Sequence, residues 1–171
     1  MALPEWSVSE LPLGNGVLGI SPIPGRQGNY TSDFNRLALW GPSLVLTMTT
    51  SLELSRVGAD GLADDLAALG VAWRHLPIID FGAPGSETEP LWSDVSLQVH
   101  EILAEGGKVL THCFGGCGRS GMITLRVMVE AGEDAEKALT RLRLVRPCAV
   151  ETDAQSSWAA AANGAQKEGR E

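Results

Sequence analysis

The sequence predicts an α/β fold, with a mainly parallel central sheet flanked by helices on both faces. Three observations carry that prediction. Short apolar segments of strand length alternate along the chain with longer segments whose apolar residues recur every three to four positions. One of the strand candidates, 43–48 (SLVLTM), reads as a buried strand, which suits a sheet covered on both faces. Glycine and proline fall between the segments and seldom inside them.

The elements follow in order. Residues 17–20 (VLGI) read as a strand, and the turn-rich stretch SPIPGRQGN follows it. A helix is expected from about Asp33 to Gly41, burying Phe34, Leu37 and Ala38. Residues 43–48 (SLVLTM) read as a buried strand. Leu62, Leu66 and Leu69 share a helical face that Gly70 ends. Residues 71–78 (VAWRHLPI) form the next strand, and 79–90 (IDFGAPGSETEP) is loop. Pro90 suits a first helical turn. The helix it opens points Trp92, Val95, Val99 and Ile102 inward and stops at Gly106-Gly107. KVLTH, 108–112, is a strand, followed by a glycine-rich loop and a helix to about Glu130. Ala135, Ala138, Leu139 and Leu142 lie on one face of a further helix that ends before Pro147. A last helix begins near Thr152.

The chain of 171 residues suits a single domain over 1–171. Its net charge is −8, and no Lys/Arg run stands out, so nucleic acid is not an expected partner. No basic-then-apolar leader and no span-length apolar window appear, so no membrane is expected and cytoplasm is the default. Three cysteines do not suggest a disulfide framework, and a reducing compartment suits a lone reactive thiol. The three histidines and three cysteines lack zinc-ligand spacing, so neither metal nor other cofactor is expected. A monomer is the working expectation.

Chemistry concentrates in the loop after KVLTH: His112-Cys113-Phe114-Gly115-Gly116-Cys117-Gly118-Arg119-Ser120. Glycines let successive N–H groups turn inward together and form an anion-binding nest, and the following helix adds its positive end. Residues 114–118 and Arg119 then form the binding surface for a phosphate, with Arg119 as a planar two-pronged donor. The dipoles that hold phosphate also favour an anionic sulfur on Cys113, the expected nucleophile. Attack on phosphorus forms a phosphocysteine, and Ser120 donates to the sulfur when it leaves. Asp80, at the end of another parallel strand, is the expected general acid. Glu87 and Glu89 are rivals further from the strand end.

HCFGGCGRS resembles the His-Cys-x5-Arg-Ser signature of the cysteine-based protein-tyrosine and dual-specificity phosphatases. WRHLPIIDFGAP, 73–84, resembles their general-acid loop, and CAVETDAQ, 148–155, also has a counterpart among them. The resemblance covers about residues 17–160. It implies a two-step phosphocysteine mechanism without metal, with His112, Cys113, Gly116, Arg119 and Ser120 carrying the signature roles. Cys117 departs from the aliphatic residue often found there.

The other candidates are weighed singly. His112 is expected to orient the loop by bonding to backbone. Cys117 reads as a small loop side chain, with a reversible Cys113–Cys117 disulfide as the alternative. Cys148 reads as packing. Thr152-x-x-Gln155 matches a capping box, and Gln155 is also a candidate to position the hydrolytic water. Arg26 is a candidate substrate contact. His75 and His100 read as ordinary element residues. The uncharged loop interior points to a phosphoprotein or singly phosphorylated small molecule. Two other readings compete: a non-catalytic phosphate-binding pseudophosphatase, and a rhodanese-type sulfurtransferase.

Overall fold

A computed structural model describes residues 4–162 of the chain. The strands are β1 (Ser9–Leu13), β2 (Gly16–Ser21), β3 (Leu44–Thr47), β4 (Ala72–His75) and β5 (Lys108–His112), in the spatial order β1-β2-β5-β3-β4. β2, β5, β3 and β4 run parallel, and β1 joins the β2 edge as an antiparallel hairpin arm. The helices are α1 (Tyr30–Trp40), α2 (Ser51–Arg56), α3 (Leu62–Ala68), α4 (Trp92–Ala104), α5 (Gly118–Glu130), α6 (Ala135–Val145) and α7 (Asp153–Ala160).

The period of two along each strand divides the core. Leu44 and Leu46 of β3 and Val109 of β5 face one cluster, which α4, α5, α6 and α7 cover. Val45 and Leu110, one residue out of phase, face the other, which α1, α2 and α3 cover. Both faces are therefore covered, and β3 (LVLT), at the centre of the parallel strands, is buried along its whole length.

Two elements go beyond the expected set. β1 was expected to be no element, yet Gly14-Asn15 turns the chain so that Ser9–Leu13 pairs with β2. Pro12 is tolerated because β1 is an edge strand. α2 is opened by a full capping box: the Thr50 side chain accepts from the Glu53 amide, and the Glu53 carboxylate accepts from the Thr50 amide. α1 starts at Tyr30 rather than Asp33, because the Asn29 side chain accepts from the Ser32 amide and sets the N-terminus earlier. β4 ends at His75, but Leu76 and Ile78 still donate to the Thr47 and Met48 carbonyls, so the extended path runs on.

A polar chain crosses the sheet at its carboxyl end. Trp73 Nε1 on β4 donates to Thr47 Oγ1 on β3 (2.8 Å), and Thr47 Oγ1 lies 2.7 Å from His112 Nε2 on β5. His112 Nδ1 is 3.3 Å from the Cys113 carbonyl, which can only accept. The imidazole is fully buried, and that burial pushes its pKa down from 6.5 to about 4. It is neutral, so Nδ1 carries the proton, Nε2 accepts, and the Thr47 hydroxyl donates to it. Every group in the chain is then satisfied.

The cysteines correct the sequence reading. Cys117 and Cys148 form a disulfide, with Cα atoms 5.1 Å apart and a sequence separation of 31. Cys117 is neither a mere loop side chain nor a partner of Cys113, and Cys148 is not simply packing. Cys113 alone is free. The expectation of a reducing compartment loses the part of its argument that rested on unpaired thiols. The bond ties the start of α5 to the segment after α6, elements that local spacing does not bring together.

Two outcomes follow from these links. Closing a loop of this length contributes about 3–4 kcal/mol in the chain-entropy account. Reductant is expected to lower the melting temperature of the wild-type chain by about 10 °C, and Cys148→Ser is expected to melt at the reduced value with or without reductant. An unchanged wild-type melting temperature would show that the link contributes nothing. The second outcome concerns His112. In the unfolded chain it takes up a proton near pH 6.5, whereas in the fold it does so only near 4. Its contribution is present above pH 6.5 and is lost as pH falls toward 4, by an amount on the order of 3 kcal/mol. Urea unfolding between pH 7 and 4 is expected to be less pH-dependent for His112→Gln than for wild type. Parallel curves would contradict it.

Candidate active site

Ser21 of β2, Thr47 of β3 and His112 of β5 stand level in the register, so three parallel strands end together. The crevice beyond such carboxyl ends is where α/β sheets bind ligands. Cys113 is the first residue past β5. Its side chain is nearly buried, with Sγ 3.2 Å from Ser120 Oγ on the first turn of α5.

The loop from Cys113 to Gly118 has its carbonyls turned outward. The Phe114 carbonyl accepts from the Ile23 amide (3.1 Å). Arg146 donates to the Gly115 and Gly116 carbonyls (3.0 and 2.8 Å). The Cys117 carbonyl accepts from the Gly121 and Val150 amides. In a planar trans peptide the following N–H points opposite to the C=O. The N–H groups of Gly115, Gly116, Cys117 and Gly118 therefore point away from these donors, and Gly115 and Cys117 line the crevice. Glycine is required at Gly116, whereas at Gly118 a side chain would first meet the tip of the Glu151 side chain. Gly116 has φ +73, and a Cβ there would stand 2.7 Å from the Ser21 carbonyl group. A Cβ on Gly118 would stand 2.3 Å from Glu151 Oε1.

Arg119 is 1% exposed, and its donors are divided. Nη1 donates to Glu53 Oε2 (2.8 Å) and to the Ile78 carbonyl (2.9 Å), and Nη2 donates to Glu53 Oε1 (2.7 Å). Nε has no protein partner. The Nε–H and the second Nη2–H form the side-on edge of the guanidinium, which matches two oxygens of a phosphate. Burial works to raise the Glu53 pKa, but the hydrogen bonds from Arg119 and the Thr50 amide outweigh it and hold the carboxyl below its ordinary range. Burial alone would lower the Arg119 pKa, yet Glu53, the Cys113 sulfur and Asp80 carry it upward. Both partners are thus held charged.

Asp80 reaches the same point from the other side. Its Oδ1 lies 3.4 Å from Arg119 Nη2 and accepts from the Phe81 amide (3.0 Å), while the side chain stays 55% exposed. Phe81 has φ +63, an uncommon backbone state for a bulky residue. α7 holds this loop in place: Thr152 Oγ1 donates to the Phe81 carbonyl (3.2 Å) and Gln155 Nε2 to the Gly82 carbonyl (3.1 Å). Asp80, Cys113, Phe114, Gly115 and Cys117 share one crevice of about 220 Å³ with Arg26, Phe81 and Glu151. Glu87 and Glu89 do not line it, and Glu89 instead accepts from Trp158 Nε1 (2.6 Å).

Gln155 differs from a standard capping-box residue. Its amide is capped by Thr152 Oγ1 (3.3 Å), but its own Oε1 reaches one residue further back, to the Glu151 amide (2.8 Å). With Nε2 on Gly82, the fully buried side chain braces the acid loop. Sequence reasoning missed Glu53 and Arg146. The Thr50-x-x-Glu53 capping pattern was a usable signal for the first. Arg146 carried none, because binding loop carbonyls 30 residues away leaves no local pattern. Among the described residues no cluster of His, Cys, Asp and Glu is arranged to hold a metal ion, and no helix is long and apolar enough to cross a membrane.

Comparison with known proteins agrees with this geometry. Residues 19–133 match the family model Tc-R-P, described as "Polymorphic toxin system, DSP-PTPase phosphatase". Cyclin-dependent kinase inhibitor 3 of Mus musculus is 29% identical over 149 residues, covering 81% of this chain and 69% of its own. The human protein is 26% identical over 136 residues, covering 75% and 63%. Among solved structures, kinase associated phosphatase with its catalytic site cysteine replaced by serine superposes with a TM-score of 0.82 at 22% identity, over 99% of both chains. Tk-PTP in its active form gives 0.71 at 29% identity, over 91% of this chain and 97% of the other. The chain belongs to the DSP-PTPase phosphatase family, whose members are hydrolases of the tyrosine and dual-specificity kind.

Proposed function

We propose that this chain hydrolyses phosphate monoesters through a phosphocysteine intermediate on Cys113, acting on a phosphoprotein or a singly phosphorylated small molecule. The observation that carries the reading is a convergence. Cys113, Gly115 and Cys117 line the crevice, the N–H groups of residues 115–118 lie opposite carbonyls that are bonded to the rest of the fold, and Arg119, beside crevice-lining Asp80, keeps Nε without a protein partner; together these support a single phosphate-binding point. The whole span from β1 to α7 packs on one sheet, which supports reading the chain as one phosphatase domain. Family membership sets the sulfurtransferase alternative aside.

In the first step the Cys113 thiolate attacks phosphorus in line with the leaving oxygen. The S–P bond forms, the P–O bond breaks, and Asp80 gives its proton to the departing oxygen. The loop N–H groups and Arg119 hold the equatorial oxygens, where charge develops. In the second step water attacks phosphorus and the S–P bond breaks. The Asp80 carboxylate takes the water's proton, and Ser120 Oγ donates a hydrogen bond to the sulfur as it becomes a thiolate again. Glu53 keeps the arginine aimed, and the Gln155 and Thr152 brace keeps Asp80 in reach.

Turnover of a generic aryl phosphate tests this reading. Wild type is expected to retain its rate in a metal chelator. Cys113→Ser is expected to lose ~10³-fold or more, and Asp80→Asn to lose about 10²–10⁴-fold in kcat, most severely with poor leaving groups. Wild type that binds vanadate but turns nothing over would instead identify a phosphate-binding pseudophosphatase.

A further inference from the structure

A second cationic feature stands beside the crevice and has no part in the chemistry proposed above. Arg26 lies 5.6 Å from the centroid of the Phe114 ring, and Arg56 lies 6.0 Å from it. Both are exposed. Neither guanidinium makes an ion pair or side-chain hydrogen bond among the described residues, although the chain as a whole carries a charge of −8.

Arg26 is held where it is. Its amide donates to the Ile23 carbonyl (3.2 Å), the Gly25 amide donates to Asp33 Oδ2 (2.8 Å), and the Ile23 amide donates to the Phe114 carbonyl. The turn that carries Arg26 is thereby hydrogen-bonded to the signature loop itself. The guanidinium also lies close over the loop: a Cβ on Gly115 would stand 3.0 Å from Arg26 Nη1. Arg26 and Gly115 line both the crevice and an adjoining cavity of about 200 Å³, whose walls include Trp6, Pro22 and Gln27.

The other charged groups at this cavity are already engaged. Glu5 pairs with Arg36 (2.9 Å), Asp33 accepts from Gly25, and Arg146 donates to the loop carbonyls. In the crevice, Asp80 lies beside Arg119, and Glu151 is the remaining carboxylate. Arg26 is the uncommitted charge where the two spaces meet.

We propose that Arg26 and Arg56 form a second anion subsite, which selects phosphoprotein segments carrying an acidic side chain or a second phosphate near the phosphate to be removed. This rests on the phosphatase reading and names its substrate class. A guanidinium suits a carboxylate or phosphate equally, because both present two oxygens to its planar edge. A peptide is favoured over an anionic bilayer, because a peptide brings a few negative charges to these two arginines alone, whereas a bilayer would set an extended anionic surface against a chain whose net charge is −8.

The test uses matched phosphopeptides, in phosphotyrosine and phosphothreonine versions, with Glu or Gln at the positions flanking the phosphorylated residue. Wild type is expected to favour the Glu-flanked peptide about tenfold in kcat/KM, the advantage of two rim ion pairs. The preference is expected to shrink in high salt. It is expected to fall to about threefold in Arg26→Gln or Arg56→Gln and to about one in the double variant. A wild-type ratio near one, or no peptide turnover, while an aryl phosphate is hydrolysed normally, overturns the subsite and leaves the phosphatase reading standing. An aryl phosphate that is not hydrolysed either brings down both. Arg26-dependent turnover of a phosphoinositide in anionic vesicles, faster than any peptide, overturns the peptide assignment.

Discussion

The site depends on a stretch of backbone turned inside out. For four successive N–H groups to face one point, the carbonyls behind them must face the protein, and each must find a donor there. Left unpaired, such a buried group costs about 1–3 kcal/mol. Ile23, Gly121 and Val150 supply amides, and Arg146 supplies two guanidinium donors from beyond α6. The donors that hold the loop from outside are thus what leaves the inner face free for an anion. The same division appears in Arg119, where Glu53 and the Ile78 carbonyl occupy one side of the guanidinium and Nε is left without a protein partner.

One segment, from Arg146 to Gln155, supports both halves of the site. Arg143 donates to the Ala149 and Val150 carbonyls (2.9 Å each), and the Cys117–Cys148 disulfide anchors its start. Val150 is held at φ +65, a state that a β-branched residue adopts only when its surroundings require it. That conformation lets its amide donate to the Cys117 carbonyl while the chain turns into α7. Thr152 and Gln155 then reach the acid loop. Strain at one residue is offset by contacts to the Cys113–Gly118 loop on one side and to the Asp80 loop on the other.

What was legible in the sequence was local. The β5–loop–α5 passage reads directly from KVLTH, the glycines and the helix after them, and the two-faced core follows from the alternation of strands and helices. Asp80 was singled out as loop beyond a parallel strand, and the structure places it in the turn after β4, two residues past the last backbone bond to β3's continuation. The hairpin arm β1 was missed although Gly14-Asn15-Gly16 marks a turn, because Pro12 argues against a strand in all but an edge position. Glu53 was missed because its helix, α2, is six residues long, too short for a periodic pattern to show. The disulfide was not legible. Three cysteines allow three pairings, and the short Cys113-to-Cys117 spacing drew attention from Cys148, which only the fold brings near. Arg146 and the pairing of Arg119 with Glu53 are likewise contacts of the fold, not of local spacing.

The account's central claim is that Cys113 carries the phosphoryl group between the two steps. The direct measurement is mass spectrometry of the enzyme, acid-quenched within its first turnovers of an aryl phosphate and digested at low pH. The account predicts a phosphate adduct on the peptide containing Cys113, appearing with the first burst of product and decaying as substrate is used up. Product release with no adduct on that peptide, or with an adduct on a different residue, would contradict it.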